Sequence, residues 1–163
     1  MIKIIFETDE PLDFLQMRQL RLFFRLKNNM QNSVLCVIDL SASSRKALQW
    51  AIEDARRINA HLTVLYPYRL SRQQNGENVV QLRKKIEEQA LMAFAELERD
   101  LLKGSKISYD FRTEVGFLSD RVEEHSRSHP LNVLVVNKGL RTAQTESFDE
   151  LVESMDVPVV IIP

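Results

Sequence analysis

From Ser33 to Pro163 the chain alternates short, continuous apolar runs with segments of helical spacing, and this rhythm restricts the fold more than any other feature. Val34-Leu35-Cys36-Val37-Ile38 is apolar throughout and ends at Asp39, as expected of a strand covered on both faces. Ser41-Ala42-Ser43-Ser44 then offers hydroxyls that can accept from the free amides of a helix's first turn. Ala47, Leu48, Ala51, Ile52, Ala55 and Ile58 follow on one helical face. Leu62-Thr63-Val64-Leu65-Tyr66 is a second strand, stopped by Pro67. A crossover of that length implies parallel strands.

The same pattern continues. Glu77 to Lys103 reads as a long helix ending at Gly104. Its mixed charges mark a solvated face. Ile107, Tyr109, Phe111 and Thr113 alternate with polar residues and predict a strand near the sheet edge. Leu118 to Ser128 predicts a short helix, Asn132 to Asn137 a buried strand, and Lys138 to Gln144 a loop. Glu146 to Met155 predicts another short helix, and Val157 to Ile162 a last strand. Five strands and four helices in alternation argue an α/β doubly wound sheet with helices on both faces.

Residues 1–32 stand outside this rhythm as an N-terminal extension. Leu12 to Lys27 can form a basic amphipathic helix with Arg18, Arg21 and Arg25 on one stripe. Packing against its own domain or a dimer mate is the favoured account, and a membrane surface is disfavoured. Met30 stands just before the compact part, so it is a second candidate start.

Composition excludes several classes of function. The 163 residues suit one domain, and 22 Lys and Arg against 23 Asp and Glu leave a net charge of −1, without the basic footprint of a nucleic-acid partner. A lone cysteine, Cys36, rules out an internal disulfide framework and a cysteine-based zinc cluster. No apolar run reaches the ~18 residues of a membrane span. The start turns acidic within a few residues, unlike a secretory signal, so the expected compartment is the cytoplasm. His125 and His129 are four apart, but without a zinc-hydrolase arrangement they read as exposed helix-end histidines. Ser41 lacks the flanking glycines of a nucleophile elbow. No convincing catalytic set emerges, which argues against an enzyme.

The stretch Val34 to Ile52, continued through Ala55 to Leu65, resembles the opening of a universal stress protein domain: apolar strand, Asp, Ser-rich turn, then a helix rich in Ala and Leu. Val115-Gly116 looks like that family's third-strand exit, and Val157-Pro158-Val159-Val160-Ile161-Ile162-Pro163 like its final strand. The resemblance covers residues 33–163. It implies a five-stranded parallel sheet in the order 3-2-1-4-5 and commonly a homodimer. Members that bind ATP carry Gly-x2-Gly-x9-Gly-Ser/Thr after the fourth strand, where bare amides must approach phosphates. Here Asn137 and Leu140 stand at the first two glycine positions. Counted forward, Glu150-Leu151 fall at the last pair; counted back from the final strand, Thr145-Glu146 do. The phosphate cradle therefore reads as lost. Asp39, Ser41, Asn137, Lys138 and Gly139 are what remains of a candidate nucleotide pocket, with Tyr66 or Tyr68 at the adenine position. The simpler account of Asp39 and the serines is helix capping alone.

The expectation is a cytoplasmic stress-response binding or regulatory module that needs no cofactor. It would pair as a homodimer through Val157, Val159, Val160, Ile161 and Ile162 and recognise a further protein partner. ATP binding through a remodelled loop, with slow hydrolysis, is the alternative.

Overall fold

The computed structural model describes residues 5–7, 32–70, 78–140, 152–153 and 156–163. Its elements in chain order are β1 (Ile5–Glu7), β2 (Ser33–Val37), α1 (Ser44–Ile58), β3 (His61–Tyr68) and α2 (Val79–Leu97). There follow a π-helical turn (Glu98–Leu102), β4 (Tyr109–Val115), α3 (Leu118–Ser128), β5 (Val133–Asn137) and β6 (Val159–Ile162). The sheet is parallel, in the order β1-β6-β5-β2-β3-β4. The five expected strands thus take the expected order, and β1 adds a sixth at the far edge. The basic helix expected over Leu12–Lys27 lies outside the described residues, as does the helix expected over Glu146–Met155 apart from Val152 and Glu153.

The two-residue period of the strands divides the core into two layers. Val34, Cys36, Leu62, Val64, Val133, Val135 and Val160 face α1 and the end of α2. Leu35, Val37, Leu65, Leu134, Val136, Val159 and Ile161 face α3 and Val152. Central strands covered on both faces must be apolar at every position, and this is the origin of the continuous runs. Cys36 is fully buried, and burial pushes its thiol far up, so it is packing rather than chemistry.

Three local differences from expectation have physical causes. β3 runs through Pro67 to Tyr68, because beyond Leu65 it pairs only with β4, where a missing N–H is tolerated. β4 starts and ends two residues later than its alternation suggests and is the outermost strand on its side. It is anchored there by Phe111 stacked on Phe94, with ring centroids 4.0 Å apart, and by the Tyr109 hydroxyl donating to Glu98. His125 is buried rather than exposed. It continues the apolar stripe of Leu118 and Val122 at i+7, and its ring stacks on His129 at 4.9 Å. Among the described residues no His, Cys, Asp or Glu group has the arrangement of a metal site.

The last strand also differs. Its outer edge is taken by β1, with Ile5 opposite Val159, Phe6 opposite Val160 and Glu7 opposite Ile161. The expected edge-to-edge homodimer therefore has no open β6 edge in this arrangement. Val157 precedes β6 and packs into the α3 layer.

Candidate functional site

A cleft of about 550 Å³ opens at the carboxyl ends of the strands, where ligands of open parallel sheets sit. Each wall is the first turn after a strand. Asp39, Leu40 and Ser41 follow β2. Tyr66 to Arg69 end and follow β3. Gly116, Phe117 and Leu118 follow β4, and Leu140 follows β5. Ile86 of α2 closes the side.

Asp39 organises the first wall. One carboxylate oxygen accepts from the Ser41 amide at 3.0 Å, from the Ser41 hydroxyl and from the Ser44 hydroxyl at 2.7 Å. The Asp39 amide donates back to Ser44 Oγ, and the Ser41 and Ser43 hydroxyls lie 2.7 Å apart. The serines were expected to cap α1, but Ser43 at its N-cap makes no side-chain cap bond. Ser41 and Ser44 bind the carboxylate instead, and Ser43 bonds Ser41. The turn is made by Leu40 in the left-handed region at φ 60°, a conformation costly for a branched residue and found where a site dictates the backbone.

The β5 exit is also closed by its own side chain. Asn137 is buried; its Oδ1 accepts from the Gly139 amide at 2.6 Å and its Nδ2 donates to the Ser43 carbonyl at 3.1 Å. The Lys138 amide is engaged with the Ile162 carbonyl. Leu140, buried, presents an apolar side chain to the cleft. The structure thus brings Asp39 and Ser41 into the cleft lining and ties Asn137 and Gly139 to them through Ser43. Lys138 is exposed at the same turn and is not part of the lining.

The opposite wall is aromatic and cationic. Arg69 lies over the Phe117 ring at 4.1 Å. Tyr66 stacks on Tyr68 with centroids 6.1 Å apart. The Tyr68 hydroxyl donates to Glu87, which also accepts from Arg83; burial and the carboxylate push Tyr68 up to about 12. Burial and Asp39 raise Tyr66 as well. Both phenols are therefore neutral donors at physiological pH. Arg69 and Phe117 were not read from the sequence, although Arg69 directly follows β3 and Phe117 comes two residues after β4, which is the available signal.

Gly116 fixes that wall. It has φ +143°, and a Cβ there would stand 2.9 Å from Arg121 Nε. Gly116→Ala is expected to cost at least ~1 kcal/mol of stability, read from urea unfolding, because it adds a strained backbone to a close contact.

A second constellation lies toward the opposite ends of the strands. His61 bridges the Ser108 hydroxyl, 2.6 Å from Nδ1, and Asp110, 2.9 Å from Nε2. Asp110 also accepts from Arg112 and Thr63; burial pushes its carboxyl up, but the bonds from Arg112, Thr63 and His61 together outweigh this and hold it below the ordinary range. The order of groups is that of a nucleophile, a base and an orienting acid, but none of the three residues lines the cleft.

Comparison with known proteins bears on the fold and the family. A family model described as the universal stress protein family matches residues 30–163. Among solved structures the chain is similar to a universal stress protein, UspA, from Lactobacillus plantarum. The identity is 19%, the match covers 83% of this chain and 100% of that one, and the TM-score is 0.68. It is similar to a universal stress protein in complex with cAMP, at 20% identity over 83% of this chain and 99% of that one, with a TM-score of 0.63. A third similar structure is the universal stress protein from Archaeoglobus fulgidus in complex with dAMP, at 14% identity over 82% and 98%, with a TM-score of 0.53. No curated protein matches the sequence significantly. At these identities the structural likeness speaks for the fold.

Proposed function

The chain belongs to the universal stress protein family, and from that premise we propose that it is a cytoplasmic stress-response binding or regulatory module that does not hold ATP in the family's usual way. One observation carries the reading. The Gly139 amide, which a phosphate at the β5 exit would need, is already bonded to the Asn137 side chain. Any phosphate there must displace a buried amide side chain that also ties β5 to the β2–α1 turn. Leu140 adds an apolar surface, and Asp39 a negative charge, to the cleft that would receive the anion. Of the candidate pocket residues Asp39, Ser41, Asn137, Lys138 and Gly139, Asp39 and Ser41 line the cleft and are the ones that would still meet a ligand. The module needs no cofactor and performs no turnover. It acts through recognition of a protein partner and through association of two copies by the last strand, which requires β1 to leave the β6 edge.

A second reading is nucleotide binding with a remodelled loop, possible ATP use included. The cleft's aromatic and cationic wall favours it, as do the relatives described in complex with cAMP and dAMP. Native mass spectrometry of the full chain with magnesium and ATP separates the two. No ATP adduct is expected. One ATP per chain would overturn the first reading and make Asp39 and Lys138 the next positions to substitute.

A further inference from the structure

The family match begins at residue 30, and the Lactobacillus plantarum relative is covered in full by 83% of this chain. β1, at Ile5–Glu7, is therefore an addition to a sheet that the family domain completes without it. It is laid on the edge of β6, a run of four β-branched residues, Val159-Val160-Ile161-Ile162. An open edge of that composition is a template for another strand. The opposite edge, β4, carries Asp110, Arg112 and Glu114 and is guarded by charge.

We propose that β1 is an intrachain cap on β6, holding closed the edge through which a second copy of this chain pairs. The proposal rests on the reading above that the last strand is the association surface. Released from β1, two β6 strands related by a two-fold axis pair antiparallel and satisfy each other's backbone groups.

The two arrangements are closely balanced. β1 offers three residues in parallel register, whereas a second β6 offers four in antiparallel register, which is slightly more stable per residue. The cap prevails because it is tethered: an attached strand competes at an effective concentration of order millimolar, far above that of a second molecule. β1 in turn does not extend the sheet outward, being three residues long and followed by Thr8, Asp9 and Glu10 in the sequence. A strand pair alone is smaller than the roughly 1,000 Å² of a stable interface. Beside Ile162 the sheet continues into a second cavity lined by Trp50, Lys46, Glu53 and Arg56. A surface bearing both signs of charge can face its own two-fold copy.

The test is Phe6→Pro in the full chain, which removes the central ladder residue of β1 and leaves the family domain untouched. Light scattering at low micromolar concentration is paired with amide exchange of Val159–Ile162. The full chain is expected to be monomeric. The variant is expected to dimerise with a dissociation constant lowered about tenfold or more, keeping the β6 amides protected. Successive amides of an edge strand point alternately toward and away from its neighbour, so Glu7→Pro covers the case in which the Phe6 N–H faces outward, and circular dichroism verifies that both variants remain folded. A full chain that is already dimeric, unchanged by either variant, would overturn the cap while leaving association through β6 standing. A folded variant that stays monomeric with unprotected β6 amides would overturn both.

Discussion

Replacing Asp54 by asparagine is expected to stabilise the protein at about pH 8 by up to ~3 kcal/mol. Asp54 sits on α1, 4% exposed, with Oδ1 lacking any hydrogen-bond partner. Burial raises it to about 6, against a smaller opposing pull from Arg57. A carboxyl whose folded pKa is raised favours the native state fully only below its unfolded value. That contribution is lost as pH rises from about 4 through about 6. Above that window the native state carries an incompletely compensated buried charge. Asparagine removes the charge but keeps a polar amide, so the gain falls short of the full linkage value. Urea unfolding across pH reads it. The advantage of Asp54→Asn should be largest above pH 7 and most of it gone near pH 4, as linkage requires. An equal advantage at every pH would show that charge is not the cause.

His125 makes the opposite contribution. Burial lowers it to about 4, helped by His129 and Arg112 and resisted by Asp110. The ring is neutral in the native state, and its Nε2 has no partner. An unfolded histidine binds a proton near pH 6.5, so the stability it confers is present above that value and lost as pH falls to about 4. The loss is of order 2 kcal/mol once partial solvent access to the ring is allowed for. His125→Phe retains the stack on His129 and should abolish this acid-side loss. Between about pH 4 and 6 the two groups oppose each other, so the parent protein should show a shallow pH profile there. Asp54→Asn should unmask a profile that falls toward acid, and His125→Phe one that rises toward acid. The double variant should again be nearly flat.

His125 also marks how far the sequence could be read. Leu118, Val122 and His125 fall at i, i+4 and i+7, and this spacing already placed the histidine on the buried face. Judging it by residue type and by its neighbour His129 obscured that. The two-layer core was legible because β2, β5 and β6 are apolar apart from Ser33 and Asn137 at strand ends, as strands buried on both faces must be, whereas the strand order came from the family resemblance. β1 was not legible: three residues, Ile-Phe-Glu, contain no period to detect. In the cleft, Asp39 and Ser41 were legible from their place at a strand's carboxyl end. Arg69 over Phe117, and the Asn137 side chain on the Gly139 amide, depend on how separate turns approach one another. Local spacing carries no record of that approach.

The pairing of β1 with β6 joins the first of the described strands to the last of them. While the chain emerges from the ribosome, β1 has no partner, whereas β2, β3 and β4 can already assemble with α1 and α2. Closing so long a loop adds little entropy cost beyond that of a shorter one, because the cost grows only logarithmically with length. The pairing cannot form before β6 has been synthesised. β1 therefore stays unpaired in the sheet until the last of the described strands is made.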